Sequence, residues 1–352
     1  MAVDFGKLVG EVKEQIEMEE LAGRRLAIDA YNTIYQFISI IRGPDGTPLT
    51  DSKNRVTSHL SGLFYRTINV LEKGIVPIFI FDGKPPLLKQ RTLEARANQR
   101  EEAYRGWQQA RAKGQLEEAR GYAMASSKIN EWIIESSKEL LGYMGVPYIQ
   151  APSEGEAQAA RMVMEGTAYA AASQDYDLFL FGSDVIIRNL TVTGRRKLPG
   201  KNIYVNVEIE RILLHKFLSH FGIDRKRAIW MGMLVGTDFN EGIEKVGPKT
   251  ALKIVKEHGS LDEIVAYVKE KYNKEFDADP YEVERFFLEP DTIEIQSAEL
   301  EKVISGSKPD RGAIIRFLCS EHEFSEERIG KYADKLLEVR HGSGQKGINS
   351  WL

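Results

Sequence analysis

Short apolar runs alternate along the chain with longer stretches in which apolar residues recur every three or four positions. The runs Leu26–Ile28, Ile75–Phe81, Pro147–Ile149 and Tyr169–Ala172 predict strands, and Val185–Leu190 is a fifth candidate. Between them, Thr57–Glu72 sets Leu60, Leu63, Phe64, Ile68 and Leu71 on one helical face. Ala125–Met144 does the same with Ile129, Ile133, Ile134, Leu140 and Leu141. Strands separated by helices need crossover connections, and these give a mostly parallel sheet covered on both faces. The predicted fold class is α/β.

From Lys84 to about Gly121 the pattern changes. The stretch is rich in Arg, Gln, Glu and Ala, is poor in large apolar residues, and is punctuated by Gly106, Gly114 and Gly121. Such a segment buries little surface, so it should project as helices joined by a bend. It reads either as a solvent-covered helical hairpin or as a basic arm beside a site. Beyond Arg225 short helices and turns follow, and His341–Gly344 reads as a break before the last residues. The resulting divisions are 1–98 and 136–225, which build the sheet, 84–135 as the projecting arm, 226–340 as a helical region, and 341–352 as a flexible tail.

Composition narrows the function classes. The chain has 352 residues, 42% hydrophobic and 28% charged, with no apolar run approaching the roughly 18 residues of a membrane span. No basic start precedes a long apolar segment, so no secretory signal is expected. A single cysteine, Cys319, allows neither an intrachain disulfide nor a CxxC metal pair and suits a reducing compartment. The net charge of −4 argues against a polyanionic partner, but its distribution does not. Lys84, Lys89, Arg91, Arg96 and Arg100 face one acid, Glu94, and Arg188, Arg195, Arg196, Lys197 and Lys201 fall in a stretch with none.

Parallel sheets bind ligands outside the carboxyl ends of their strands. Here Leu26–Ile28 runs into Asp29, Ile78–Phe81 into Asp82, and Tyr169–Ala172 through Ser173-Gln174 into Asp175 and Asp177. Glu154 and Glu156 follow the Pro147–Ile149 strand, and Asp238 lies in the loop Gly236-Thr237-Asp238. Each has an ordinary explanation: Asp29 as a helix cap, Asp82-Gly83 as a turn, Ser153 and Glu156 as a capping box. Together they bring seven carboxylates to one edge, with no lysine or arginine in the same turns. Such crowding raises pKa values and calls for a cation from outside. Oxygen ligands without Cys or His select Mg²⁺ or Mn²⁺, and two such ions leave room for a phosphodiester.

A second anion site is predicted at Glu241–Leu252. It is not a nucleotide-binding P-loop, since Pro248 separates Gly247 from Lys249 and a helix precedes it. As a hairpin between helices, with Pro248 at the first helical position, it offers free N–H groups beside Lys245, Lys249, Lys253 and Lys256. Such contacts hold a duplex without reading its sequence.

Several runs, in this order, resemble the flap endonuclease family in its archaeal form. They are Ala27–Asn32, Ser58–Arg66, Phe81–Pro86, Gln150–Ala157, Ser173–Asp177 and Leu234–Asp238. The resemblance covers essentially the whole chain. It implies a PIN-like, Rossmann-like sheet with a helical arch at 84–135 and a helix-hairpin-helix at 242–258 holding a K⁺ ion. It also implies two-metal hydrolysis of 5′ flaps at the junction with duplex DNA, with 5′→3′ exonuclease activity, in replication and repair. Asp82, Glu154 and Glu156 would then hold one Mg²⁺ and Asp175, Asp177 and Asp238 the other, Asp29 acting through metal-bound water. Lys89 and Arg96 match arch residues near the scissile phosphate, and Tyr35 matches an aromatic that stacks at the junction. Lys84, Lys245, Gly247, Lys249 and Lys253 would contact DNA.

The tail Gln345–Leu352 resembles a sliding-clamp motif, with Gln345, Ile348, Trp351 and Leu352 as anchors. A monomer inside an archaeal cell, at the nucleoid, is the expected setting (the nucleus, were the source eukaryotic). Three positions depart from the family pattern: Ala2 where Gly is usual, Lys245 in place of the hairpin's first Gly, and Leu352 in place of a final aromatic. Rival readings from the same acids are a metal-dependent RNase of this α/β class, a haloacid-dehalogenase-type phosphatase suggested by Asp175-x-Asp177, and a non-catalytic scaffold for branched DNA.

Overall fold

The computed structural model describes residues 3, 5–191, 194–197 and 204–349, with the side chains of 194–197, 204–206 and 340–349 left aside. Among the described residues nine strands form: β1 Glu14–Ile16, β2 Arg25–Asp29, β3 Val76–Phe81, β4 Tyr148–Gln150, β5 Ala170–Ala172, β6 Val185–Arg188, β7 Gly194–Lys197, β8 Tyr204–Val207 and β9 Ile209–Leu213. Seven make one sheet in the order β1-β9-β6-β5-β2-β3-β4, and β7 and β8 pair separately. The block from β6 to β4 is parallel, whereas β9 runs antiparallel to both β6 and β1.

The two-residue period of the strands divides the core. Ala27, Ile78, Ile80, Ala171 and Ile186 face one apolar cluster with the helices Gly155–Met164 and Arg225–Val235. Leu26, Ile28, Phe79, Phe81 and Ile187 face the other, with Ala30–Ile40, Ser58–Glu72 and Glu131–Tyr143. The sheet is therefore covered on both sides, as continuous apolar strands require. No helix among the described residues is long and apolar enough to cross a membrane.

The structure departs from the sequence expectations at several points. Ala125–Met144 is not one helix, because Asn130 caps a new one by accepting the Ile133 N–H at 3.0 Å. β1 and β9 escape the apolar pattern because they are laced by ion pairs, Arg211–Glu14 at 2.8 Å and Lys13–Glu210 at 2.5 Å. The backbone carries the last helix, Glu326–Asn349, across the break expected at His341–Gly344.

The projecting segment is two helices, Gln90–Ala112 and Leu116–Ala125, and it buries only Ala103, Ala110, Ala119 and Ala123. Of its three glycines only Gly114, at φ +72°, makes the bend. Gly106 lies inside the first helix, where a Cβ would come 2.8 Å from the Tyr122 ring, so it marks where the two helices touch.

Candidate functional site

The parallel strands deliver their acids to one edge. Asp29 ends β2 and Asp82 follows β3. Glu154 and Glu156 open the helix Gly155–Met164, and Asp175 and Asp177 follow β5. Asp238 comes from the turn after Arg225–Val235. Asp29 does cap its helix, accepting the Asn32 N–H at 2.9 Å. The capping box expected at Ser153 does not form. Glu154 takes the cap position without its side chain capping the helix, and Asp82 reaches over to accept the Gly155 N–H at 2.7 Å. Gly83 is required here, since a Cβ would collide with the carbonyl oxygens of Ala151 and Pro152.

Electrostatics record the convergence. Asp29 and Asp177 are pushed up to about 8, first by burial and then by neighbouring carboxylates: Asp82 for Asp29, Asp238 for Asp177. Burial and Glu154 push Asp82 to about 6. Glu156 is raised by burial and by Asp175, Asp29 and Asp177, and Asp175 by burial and Asp238. The Ser173 hydroxyl accepts the Asp175 N–H at 3.2 Å while lying 3.1 Å from Asp29 Oδ2 and 2.9 Å from Glu156 Oε1. One hydroxyl proton serves only one of those oxygens. The other contact is a hydrogen bond only if that carboxyl keeps its own proton.

No lysine or arginine lies in those turns themselves, but two basic side chains reach the edge from elsewhere. Lys89, at the cap of the projecting helix Gln90–Ala112, and Arg96, inside it, come down from a part of the chain distant in sequence. The Lys89 ammonium lies 2.5 Å from Glu154 Oε2 and 3.3 Å from Asp238 Oδ2, and Arg96 pairs with the other Asp238 oxygen. Burial alone would raise Asp238, but Lys89 and Arg96 hold it below the usual carboxylate range. Among the described residues, these two cations face the seven acids. Among the described residues no three acidic, His or Cys side chains stand close enough together to make a ready metal cage.

The remaining predicted residues are dispersed. Tyr35 is half-buried against the core in Ala30–Ile40, and Lys84 is exposed just after β3. Lys245, Gly247, Lys249 and Lys253 are exposed around the start of the helix Pro248–Glu257, whose cap residue Gly247 carries no side chain. Lys245 has φ +68°. Gln345 and Ile348 fall in the last helix with their side chains outside the description, and Trp351, Leu352, Ala2 and Lys201 lie outside the described residues. Sequence reasoning passed over Asn32 and Ser173 as functional groups. Asn32 donates to Asp175 Oδ2 at 3.2 Å. Both lie inside the runs Ala27–Asn32 and Ser173–Asp177, where the eye is drawn to the acids.

Comparison with known proteins agrees with this architecture. The family model described as the XPG N-terminal domain matches residues 1–103, and that of the XPG I-region matches residues 145–238. Flap endonuclease 1 of Pyrococcus abyssi is 50% identical over all of this chain and 98% of its own length. That of Methanosarcina acetivorans is 48% identical, with all of both chains covered. Among solved structures, flap endonuclease-1 from Methanococcus jannaschii superposes with a TM-score of 0.72 at 35% identity, covering 97% of this chain and 99% of that one. The catalytic core of Rad2 in complex with DNA substrate shares the fold at a TM-score of 0.67 and 23% identity. With relatives of this identity matched end to end, the chain belongs to the flap endonuclease family.

Proposed function

We propose that this chain is a structure-specific endonuclease that cuts 5′ flaps of branched DNA at the junction with the duplex, with 5′→3′ exonuclease activity, in Okazaki fragment maturation and repair. The observation that carries the reading is the gathering of seven carboxylates outside the parallel strands, with Lys89 and Arg96 as their counter-charge among the described residues. The donor set fits hard divalent ions: it is all oxygen, and five of its acids are raised toward protonation by burial and by one another. Mg²⁺, with Mn²⁺ as substitute, would be held by Asp82, Glu154 and Glu156 and by Asp175, Asp177 and Asp238, with Asp29 in support. Such ions, when bound, lower the pKa of an attacking water and stabilise the leaving oxygen.

The chain's own groups do the rest. Lys89 and Arg96 exchange their carboxylate partners for the oxygens of the scissile phosphate, and the helices around them form an arch for the free 5′ end. Tyr35 offers a ring for stacking at the junction. The helices Arg225–Val235 and Pro248–Glu257 act as a helix-hairpin-helix on the downstream duplex. There Lys245, Lys249 and Lys253 and the N–H groups near Gly247 meet phosphates, with Lys84 as a further contact and K⁺ as a monovalent partner. The tail from Gln345 recruits a sliding clamp, and the working unit is a monomer. Removing 345–352 should abolish stimulation by the clamp and leave basal cleavage intact.

The deciding assay uses end-labelled 5′-flap, 3′-flap and blunt DNA duplexes beside single-stranded RNA, with Mg²⁺ or with EDTA. Metal-dependent cleavage is expected, strongest on the 5′ flap, weaker from the 5′ ends of the blunt duplex and absent from the 3′ flap, and lost by at least about a hundredfold in Asp177→Asn. Preference for RNA, or flaps bound but left uncut with Mg²⁺, would overturn the reading in favour of an RNase or a scaffold.

A further inference from the structure

One arginine outside the acid cluster holds both neighbours of Asp175. Arg188, on β6, donates from Nε to the Gln174 carbonyl at 3.2 Å and from Nη1 to the Tyr176 hydroxyl. Its guanidinium carbon also sits 4.3 Å from the centre of the Tyr176 ring. Gln174 and Tyr176 flank Asp175, and Tyr176 leads directly into Asp177. Other anchors of this short loop include Ser173 and Asn32, themselves engaged with the acids, and the Val3 N–H, which donates to Asp177 Oδ1 at 2.9 Å. Arg188 grips the loop through the Gln174 carbonyl and Tyr176 rather than through the acids.

Arg188 is itself fixed from behind. It is the cross-strand partner of Glu210 on β9, and Nη1 lies 3.2 Å from Glu210 Oε2. Lys13 holds the other Glu210 oxygen at 2.5 Å. The chain of contacts Lys13–Glu210–Arg188–Tyr176 ties the antiparallel margin of the sheet to the loop bearing two crowded carboxylates. Those carboxylates repel each other and Asp238, so an unanchored loop would swing them apart. Only a planar fork can meet a carbonyl, a hydroxyl, a carboxylate and a ring face together, and a lysine ammonium cannot.

Resting on the nuclease reading, we infer that Arg188 is a positioning residue, braced by Glu210, that sets Asp175 and Asp177 for divalent-ion binding. Supporting groups of this kind govern metal affinity or activity by about 10- to 100-fold. The test titrates Mn²⁺ into DNA-free protein, wild type against Arg188→Lys, Arg188→Met and Tyr176→Phe, reading free Mn²⁺ by electron paramagnetic resonance. Flap binding in EDTA, flap cleavage against Mg²⁺ concentration and thermal stability are measured on the same samples.

Arg188→Met should weaken Mn²⁺ binding and raise the Mg²⁺ midpoint by about 10- to 100-fold, with flap affinity in EDTA unchanged. Tyr176→Phe, which keeps the ring, should fall between, and Arg188→Lys should rescue only part of the loss. Unchanged Mn²⁺ binding in Arg188→Met, whether melting falls or not, would overturn the inference, as would a loss confined to flap affinity. If wild-type protein cleaves no flap, the nuclease reading fails while the Mn²⁺ titration still decides the role of Arg188.

Discussion

The Lys89 ammonium sits 2.5 Å from Glu154 and 3.3 Å from Asp238, largely sequestered from water, so the side chain of the cap residue of the first projecting helix fills the charge role that a metal would take. Burial alone would lower its proton affinity, but Glu154, Asp238 and Asp82 outweigh burial and raise it above the ordinary lysine value. A raised lysine contributes stability that is complete below the unfolded pKa, near 10.4, and is lost only above it. The pair is therefore intact at any neutral pH.

Lys89→Met removes that counter-charge and leaves buried acids facing one another. In EDTA at pH 7.5 it should destabilise the protein by about 3 kcal/mol, the scale of breaking a buried pair. Mg²⁺ should restore most of the loss, because Glu154 no longer has a competing partner. The same variant should bind Mn²⁺ more tightly and cleave more slowly. Melting curves with and without metal check this, and identical curves in EDTA would show that Lys89 carries no such role.

The raised carboxylates give a second, opposite pH dependence. Asp29 and Asp177, at about 8, and Asp82, at about 6, keep protons that the unfolded chain surrenders near 4. Their contribution is fully present below about pH 4 and is lost as the pH rises through about 8. Metal-free protein should therefore melt at lower temperature at pH 8.5 than at pH 6.5, with Mg²⁺ narrowing the gap. Adding Mg²⁺ at pH 7 should release protons, measurable by calorimetry in buffers of different ionisation enthalpy. Zero release would mean that the acids are already ionised.

Much of this was legible from apolar pattern alone. β2, β3 and β5 are short, mostly buried runs that end in an acid or lead into one within three residues, and a parallel sheet sends every such ending to one edge. The resemblance placed Lys89 and Arg96 near the site, but their pairing with Glu154 and Asp238 is long-range, and nothing local in either residue announces it. The polar margin β1–β9 was invisible for a related reason, since Glu14, Glu210 and Arg211 are matched across strands rather than along them. Ser153 and Glu156 had the right spacing for a capping box, yet Asp82, 73 residues away from Gly155, supplied the acceptor instead.

The two glycines of the projecting helices should respond in opposite senses. Gly106→Ala drives a methyl to 2.8 Å from the Tyr122 ring and should part the helices, at about 1–3 kcal/mol for overpacking. Gly121 has nothing within 4 Å where its Cβ would stand, so Gly121→Ala should stabilise its helix by about 0.5–1 kcal/mol. Hydrogen exchange across 90–125 should quicken in the first variant and slow in the second, while the sheet is unaffected. Equal protection in both would deny the close approach at Gly106.

Lys245 combines two effects that a single substitution separates. The turn Ile243–Val246 is closed by the Val246 N–H donating to the Ile243 carbonyl at 2.9 Å, and Lys245 occupies its third position at φ +68°. That position suits glycine, and a side chain there costs about 1 kcal/mol. Lys245→Gly should therefore raise stability by about that amount. It also removes an exposed cation beside the start of Pro248–Glu257. If Lys245 meets a phosphate, duplex binding weakens across all sequences and the dependence of log affinity on log salt becomes shallower by about one. Lys245→Asn, which tolerates the left-handed backbone, should show the same loss of salt dependence with a smaller gain in stability. A more stable Lys245→Gly protein whose affinity and salt slope match the wild type would assign Lys245 to the turn alone and leave the phosphates to Lys249 and Lys253.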